Sequence, residues 1–279
     1  MAPNILHFIF GLSDDFGGKP FSFSHYIAIR SAMIENNPSD IIFHYQYEPT
    51  GVYWDLIKKQ ITLNKVEAPS SIHGNILYHV AHKADIIRLQ ALYKTGGIYL
   101  DIDTITIKPL HQFRKYNFSI GQELKEPVEY TFIQKVKKLI RHTTLRPFQV
   151  NVAGLCNAVM FAEPGANFIE YWLDSYKTFR SNGKDEFWGE HSVLIPYQLS
   201  KQYPEFVNKI SPFAFHYPIH DVQGLRLLFE NNVHFKNAYI HHLWESASWE
   251  KYLRHLNFRS VQKVDTTYNV LARKYIDFL

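Results

Sequence analysis

Residues 84–103 read ADIIRLQALYKTGGIYLDID, and the fold class follows from them. Ile86, Leu89, Leu92 and Tyr93 recur at helical spacing. Gly96-Gly97 then stops the helix, because positive φ costs little at glycine. Ile98-Tyr99-Leu100 is a β-rich run, and Asp101-Ile102-Asp103 follows directly. Residues 105–107 continue the extended pattern up to Pro109. Two carboxylates therefore close a buried strand, the place where open α/β sheets put their ligands.

The flanking chain repeats this alternation. Residues 5–10 form an apolar run ending at Gly11, and residues 41–47 (IIFHYQY) form a second one. Between them lie a loop at 13–20 (SDDFGGKP) and a helix over 26–35 that stops before Asn37-Pro38. Residues 53–59 read as helix and 61–67 as a further extended segment. Strand–helix alternation of this kind predicts an α/β layer with a parallel sheet. Downstream, residues 150–162 read as loop and strand, with helices over 167–180 and 191–203, the latter ended by Pro204. The remaining residues mix short strands, an aromatic-rich turn and a terminal helical stretch.

The 279 residues, 46% hydrophobic and 20% charged, suit one large globular domain. Aromatic residues make up 16%, which composition reads first as a large aromatic core and second as stacking surfaces. The net charge is only +4 and no basic block marks a nucleic-acid face. Residues 135–141 (KVKKLIR) alternate basic with apolar side chains, as does the solvated face of an amphipathic helix. Contact with an anionic lipid surface or an acidic acceptor is the second reading. Cys156 is the one cysteine, which excludes an intrachain disulfide; its apolar surroundings suggest a buried small side chain. No secretory signal opens the chain and no apolar run is long enough to span a membrane, so a soluble cytoplasmic protein is expected. The sequon at Asn117-Phe118-Ser119 reads as a chance match.

In an extended chain, residues i and i+2 share a face, so Asp101 and Asp103 would have Cα atoms about 6–7 Å apart with both carboxylates on one side. Two ionised groups this close repel each other and ask for a cation. Hard oxygen ligands suit Mg²⁺ or Mn²⁺, which keep positions for water and phosphate oxygens. By itself D-x-D is a weak pattern that a solvated acidic loop also produces. Asp85 and Arg88 stand at i and i+3 on one helical face, a spacing that equally fits a surface ion pair. Residues 99–106 (YLDIDTIT) also fit the D-x-D-x-T motif of haloacid-dehalogenase-like phosphatases, with Asp101 as nucleophile and Asp103 as acid/base. That chemistry needs a later Lys and a downstream acidic pair, and no two Asp residues stand together after Asp103.

Taken together, the Asp-x-x-Arg helix, the Gly-Gly turn and the D-x-D strand resemble the signature of glycosyltransferase family 32. That group contains yeast-type initiating mannosyltransferases and bacterial capsular transferases. It is similar to α-1,4-galactosyltransferases and to large clostridial glucosylating toxins. Residues 4–11 (NILHFIFG) resemble its opening strand, 157–165 (NAVMFAEPG) its middle motif and 241–249 (HHLWESASW) its closing one. The resemblance implies a GT-A fold: one Rossmann-like mixed α/β sheet flanked by helices in a single catalytic domain. Residues 1–115 would bind the nucleotide-sugar donor, and residues 116–279 would serve the acceptor and carry the closing metal motif. It further implies Mn²⁺ or Mg²⁺ and retaining transfer of a hexose from a UDP- or GDP-sugar. The acceptor would be a glycan, a lipid-linked species or a protein, as in polysaccharide biosynthesis.

Carried over by position, Asp85 and Arg88 would contact the donor's sugar and ribose region, and Tyr99 would line the nucleotide pocket. Asp103 would bind the metal directly, while Asp101 would reach it indirectly together with the ribose or sugar. Asn157 would face the donor sugar. Phe10 would stack on the base where many relatives carry Trp. In the closing motif, either His242 or His241 would be the third metal ligand, with Trp244 or Trp249 as an aromatic lid. The family's Thr-Gly-Pro element is absent around residues 188–197 (WGEHSVLIPY), where Glu190 and His191 are polar residues that could face the acceptor. A glycan- or nucleotide-binding module of the same fold, without catalysis, is the other alternative.

Overall fold

The computed structural model describes residues 1–125 and 151–276. The basic stretch 135–141 lies outside the described residues.

Among the described residues, seven strands form one mixed sheet: β1 (Ile5–Ile9), β2 (Asp40–Tyr45), β3 (Thr62–Lys65), β6 (Gly97–Leu100), β8 (Phe118–Leu124), β9 (Val152–Ala162) and β10 (Asn208–Ile210). Their spatial order is β10-β8-β9-β6-β1-β2-β3. The pairs β3–β2, β2–β1, β1–β6 and β10–β8 are parallel, whereas β9 runs antiparallel to both neighbours. The parallel block comes from the alternating first hundred residues, and the later strands extend the same sheet across β9. A two-stranded hairpin, β4 (Ser71–Ile72) with β5 (Asn75–Ile76), lies outside it.

Helix α1 (Phe23–Asn36) covers one face of the sheet and α3 (Val80–Thr95) the other, with α2 (Val52–Ile57) beside α1 and α4 (Asn167–Ser175) beside α3. Alternation along the strands sorts side chains between the two layers. Leu6, Phe8, Ile98, Leu100, Val159 and Phe161 join the α1 layer. Ile9, Tyr99 and Met160 join the α3 layer. Strands buried on both faces read as unbroken apolar runs, which is why Ile98-Tyr99-Leu100 carries no polar position. Tyr93, counted in the apolar stripe of α3, is instead exposed, and the helix starts earlier, capped by His79 Nδ1 on the Ala81 amide at 3.1 Å.

Both glycines after α3 are dictated by space as well as by φ. Gly96 (φ 64°) donates its amide to the Leu92 carbonyl at 2.8 Å, and a Cβ there would lie 2.7 Å from Pro164 Cδ. A Cβ on Gly97 (φ 118°) would lie 2.6 Å from the Ile5 carbonyl oxygen. The same corner holds a chain of polar groups, buried at His7 and His44 and reaching the surface at Asn64, with one consistent polarity. His7 Nε2 donates to the Gly96 carbonyl (2.9 Å), so His7 Nδ1 accepts from His44 Nε2 (3.0 Å), and His44 Nδ1 accepts from Asn64 Nδ2 (2.8 Å). Three strands and the end of α3 are thereby fixed to one another.

After β6 the chain departs from expectation. Asp101-Ile102-Asp103 is a turn rather than a continuing strand, with Thr104 Oγ1 donating to the Asp101 carbonyl at 2.8 Å. β7 (Thr104–Thr106) leaves the central sheet and pairs antiparallel with β11 (Ile240–His242), His242 opposite Thr104. Ser31 of α1 holds this ribbon by accepting from the Thr106 amide at 3.1 Å.

Candidate functional site

The turn between β6 and β7 sets the two carboxylates on different supports. The Asp101 amide donates to the Ala158 carbonyl of β9 (2.8 Å), while the Asp103 carbonyl accepts from the Leu243 amide just past β11 (2.8 Å). One carboxylate oxygen from each of Asp101 and Asp103 and one imidazole nitrogen of His242 lie within 4.8 Å of one another. The convergence comes from a turn that folds the carboxylates toward each other, not from the two-residue pleat read from the sequence. Asp103 Oδ1 lies 3.2 Å from His242 Nε2, and its Oδ2 accepts from the Glu245 amide at 2.7 Å. Burial alone would raise its pKa, but His242 and the Glu245 amide outweigh burial and hold it near 2. Asp101 is shifted the other way: burial raises it, and Arg88 only partly opposes that. Burial would lower His242, yet contact with Asp103 more than reverses it. Two acids are thus balanced by a guanidinium on one side and an imidazole on the other.

Asp85 and Arg88, which could have been a surface pair, are both buried. Arg88 Nη1 lies 3.0 Å from Asp101 Oδ1 and donates to Asn157 through the carbonyl and Oδ1, each at 3.1 Å. Its Nη2 sits 3.4 Å from Asp85 Oδ1, which accepts from Asn157 Nδ2 at 2.8 Å. The guanidinium lies over the Tyr99 ring at 4.5 Å, and the Tyr99 hydroxyl donates to Asp101 Oδ1 at 2.7 Å. Asp85, Arg88, Tyr99, Asn157 and Asp101 therefore form one connected network that leads to the carboxylate pair. Asn157 belongs to it because β9 lies beside β6.

Adjacent residues of a strand face opposite ways. His242 faces Asp103; His241 turns its Nδ1 to the Tyr217 carbonyl at 3.2 Å and packs on Phe235. The structure does not bring His241 to the carboxylates. Trp244 lies against the His242 ring at 4.0 Å between centroids, held by its indole N–H on the Pro218 carbonyl (2.8 Å). Trp249 sits elsewhere, stacked on His25 at 6.3 Å. Phe10 stacks on Phe16 and touches His25, forming a half-buried aromatic wall. Glu190 is paired with Arg180, and His191 hydrogen-bonds to the Ser175 carbonyl at 3.2 Å, so neither joins the carboxylate cluster.

Sequence reasoning missed a group on the far side of Asp103. His25 Nε2 lies 2.7 Å from Glu245 Oε1, and Lys19 Nζ donates to Glu245 Oε2 at 3.1 Å. Lys19 and Glu245 are 226 positions apart, and no local pattern links them. A phosphatase site would need a Lys at the carboxylates; among the described residues Arg88 and His242 are the basic groups paired with them. A cavity of about 500 Å³ lined by Phe113, Tyr116, Lys209, Lys236 and Tyr239, among others, shares no residue with this cluster.

Residues 27–122 match the profile of a glycosyltransferase sugar-binding region containing a DXD motif. Over 282 aligned positions the chain is 36% identical to Glucan organizing enzyme 1 of Cryptococcus neoformans var. grubii, covering 99% of this chain and 71% of that protein. Solved structures with remote similarity include mouse xyloside xylosyltransferase 1 in apo form, at 13% identity and a TM-score of 0.49, covering 87% of this chain and 98% of that one. The galactosyltransferase LgtC in complex with donor and acceptor sugar analogues follows at 11% identity and a TM-score of 0.42, covering 99% and 97%.

Proposed function

Because this chain belongs to the glycosyltransferases whose sugar-binding region contains a DXD motif, we propose that it moves a hexose from a UDP- or GDP-sugar to a glycan hydroxyl, with a divalent ion at Asp101, Asp103 and His242. The observation that carries this reading is the convergence of those three side chains beside the buried Arg88 network. Two carboxylate oxygens and an imidazole nitrogen are a donor set that fits Mn²⁺ or Mg²⁺. When bound, the ion supplies Lewis acidity toward the leaving diphosphate.

The remaining roles belong to the chain's own residues. Asp103 is held ionised by His242 and the Glu245 amide, so it is ready to ligate without losing a proton. Arg88, oriented by Asp85 and Asn157, fixes Asp101 and presents Asn157 toward the donor sugar. Tyr99 closes the floor of the nucleotide pocket and Phe10 offers a ring for the base. Trp244, packed over His242, keeps water from the diphosphate side. Residues 1–115 serve the donor, and residues 116–279 serve the acceptor while also supplying Asn157 and the closing metal motif. The family resemblance points to transfer with retention; no motif offers a nucleophile for a double displacement, so the acceptor attacks on the donor's own face and the departing phosphate accepts its hydroxyl proton. The name of the fungal relative makes a glucan the first acceptor to try.

The deciding experiment is a thermal-shift panel of UDP-, GDP- and CMP-sugars with and without Mn²⁺, run on wild type and Asp103→Asn. A donor at about 100 times its Kd adds about 2.7 kcal/mol of stability. We expect Mn²⁺-dependent stabilisation by one nucleotide class in the wild type and none in Asp103→Asn. No stabilisation by any donor would overturn the reading, and an inverted product anomer by NMR would overturn retention.

A further inference from the structure

His242 takes part in a second convergence that donor binding does not use. One donor atom each of Cys156, His216 and His242 lie within 4.8 Å of one another, and all three residues are buried. They come from β9, from the end of the short helix Pro212–Phe215 and from β11. His216 Nδ1 lies 3.1 Å from the Gln122 carbonyl, which can only accept, so the neutral ring keeps its proton there and Nε2 carries a lone pair. Among the described residues that Nε2 has no hydrogen-bond partner, and neither has His242 Nδ1. Buried imidazole nitrogens left without partners are uncommon, because neither water nor protein repays their desolvation. The His216 ring has its place because Gly121 lacks a side chain: a Cβ there would lie 2.4 Å from His216 Cε1. Burial first, and then the charge of Glu123 on the same strand as Gly121, push the Cys156 thiol pKa up.

We propose that Cys156, His216 and His242 form a second cation site, selective for a thiophilic ion such as Zn²⁺, which competes with the Asp101–Asp103 site through its claim on His242. A thiol, two imidazoles and a neighbouring carboxylate are a tetrahedral zinc set, unlike the oxygen-rich set at the turn. Ligand atoms around zinc stand about 3.3–3.6 Å apart, so the three groups need to close by little more than an ångström. Binding displaces the thiol proton, with Glu123 beside the sulfur to receive it or to act as fourth ligand. A neutral imidazole carries one lone pair, on Nε2 toward Asp103 or on Nδ1, so His242 serves one ion at a time and filling one site weakens the other. The competition rests on the reading of Asp101 and Asp103 as a cation site; the binding of a thiophilic ion does not.

The test uses the full chain, stripped with a chelator and titrated with Co²⁺ as a spectroscopic substitute for Zn²⁺. We expect thiolate-to-cobalt charge-transfer absorption that saturates at one equivalent, is abolished by Zn²⁺, persists in Asp103→Asn and is lost in Cys156→Ser. His216→Gln should weaken Co²⁺ binding while thermal melting verifies that both variants fold. In a parallel Mn²⁺ titration followed by electron paramagnetic resonance, saturating Zn²⁺ should weaken Mn²⁺ binding by about tenfold or more, an ordinary coupling between sites, and should do so far less in Cys156→Ser. Absence of the thiolate band in the wild type overturns the second site. Equal displacement of Mn²⁺ in wild type and Cys156→Ser overturns the competition. A chain that gives the band yet binds no Mn²⁺ refutes the carboxylate reading instead, and with it the competition.

Discussion

Arg88→Met removes the guanidinium that Asp85, Asp101 and Asn157 all engage. Removing one partner of a buried ion pair costs about 3–5 kcal/mol, because the other charge stays buried and uncompensated. The Asp101 side chain is 24% exposed, so water recovers part of its loss, but that of Asp85 is only 5% exposed and recovers little. We therefore expect the lower end, about 3 kcal/mol, which lowers Tm by about 6–12 °C for a domain of this size. The pH dependence supplies a second signature. With the guanidinium gone, the burial that already raises the Asp101 pKa loses its main opponent, so the folded variant binds a proton at Asp101 that the unfolded chain does not. Its stability then falls as pH rises, and the gap to wild type narrows from about pH 8 to about pH 5. Arg88→Lys keeps the charge but loses the fork that reaches Asn157, and should fall between the two. Urea unfolding at both pH values provides the measurement. A variant within about 1 kcal/mol of wild type at the higher pH, or a gap that ignores pH, would refute the network's energetic role.

Three further outcomes follow from the geometry. Burial and the neighbouring His7 lower His44 from 6.5 to about 4, below its unfolded value. The unfolded chain therefore binds the extra proton, and stability falls as pH drops from 6.5 toward 4, by up to about 3 kcal/mol. His44→Gln should flatten that slope in urea midpoints, and parallel curves for the two proteins would contradict it. Gly97→Ala, with its Cβ forced onto the Ile5 carbonyl, should cost about 2–3 kcal/mol, whereas Gly17→Ala, also at positive φ but in open space, should cost less; equal melting temperatures would show the corner can relax. His242→Gln should weaken Mn²⁺ binding by about ten- to a hundredfold, while His241→Gln should leave it near wild type; the reverse ranking in calorimetry would reassign the third ligand.

The local grammar was readable because its parts are contiguous. An apolar helical stripe, two glycines and a short apolar strand lie within twenty residues, and each carries its own backbone preference. The burial of Asp85 and Arg88 was not readable, since it depends on Asn157, which lies 69 positions from Arg88 and reaches the pair only after β9 docks on β6. The choice between His241 and His242 is likewise a matter of register: placing His242 opposite Thr104 turns it inward, and a shift of one residue would have turned His241 inward. The turn at Asp101–Asp103 escaped for a related reason. Period-two reasoning assumes the strand continues, and nothing in the triplet announces that β7 will pair with a segment more than a hundred residues away. The His25–Glu245 contact has no local trace at all.

One hinge-like property remains in that turn. Asp101 is bonded to the central sheet and Asp103 to the β7–β11 ribbon, so the two carboxylates span a seam between separately hydrogen-bonded parts. A ligand that grips both acts as a rivet across the seam, and its free energy appears as resistance to local opening. Amide exchange at Leu243 and Glu245, whose N–H groups point at Asp103, should then slow with Mn²⁺ occupancy while the interior of β1 and β2 keeps its own rate. The clasp on the sugar donor would double as the latch of the C-terminal ribbon.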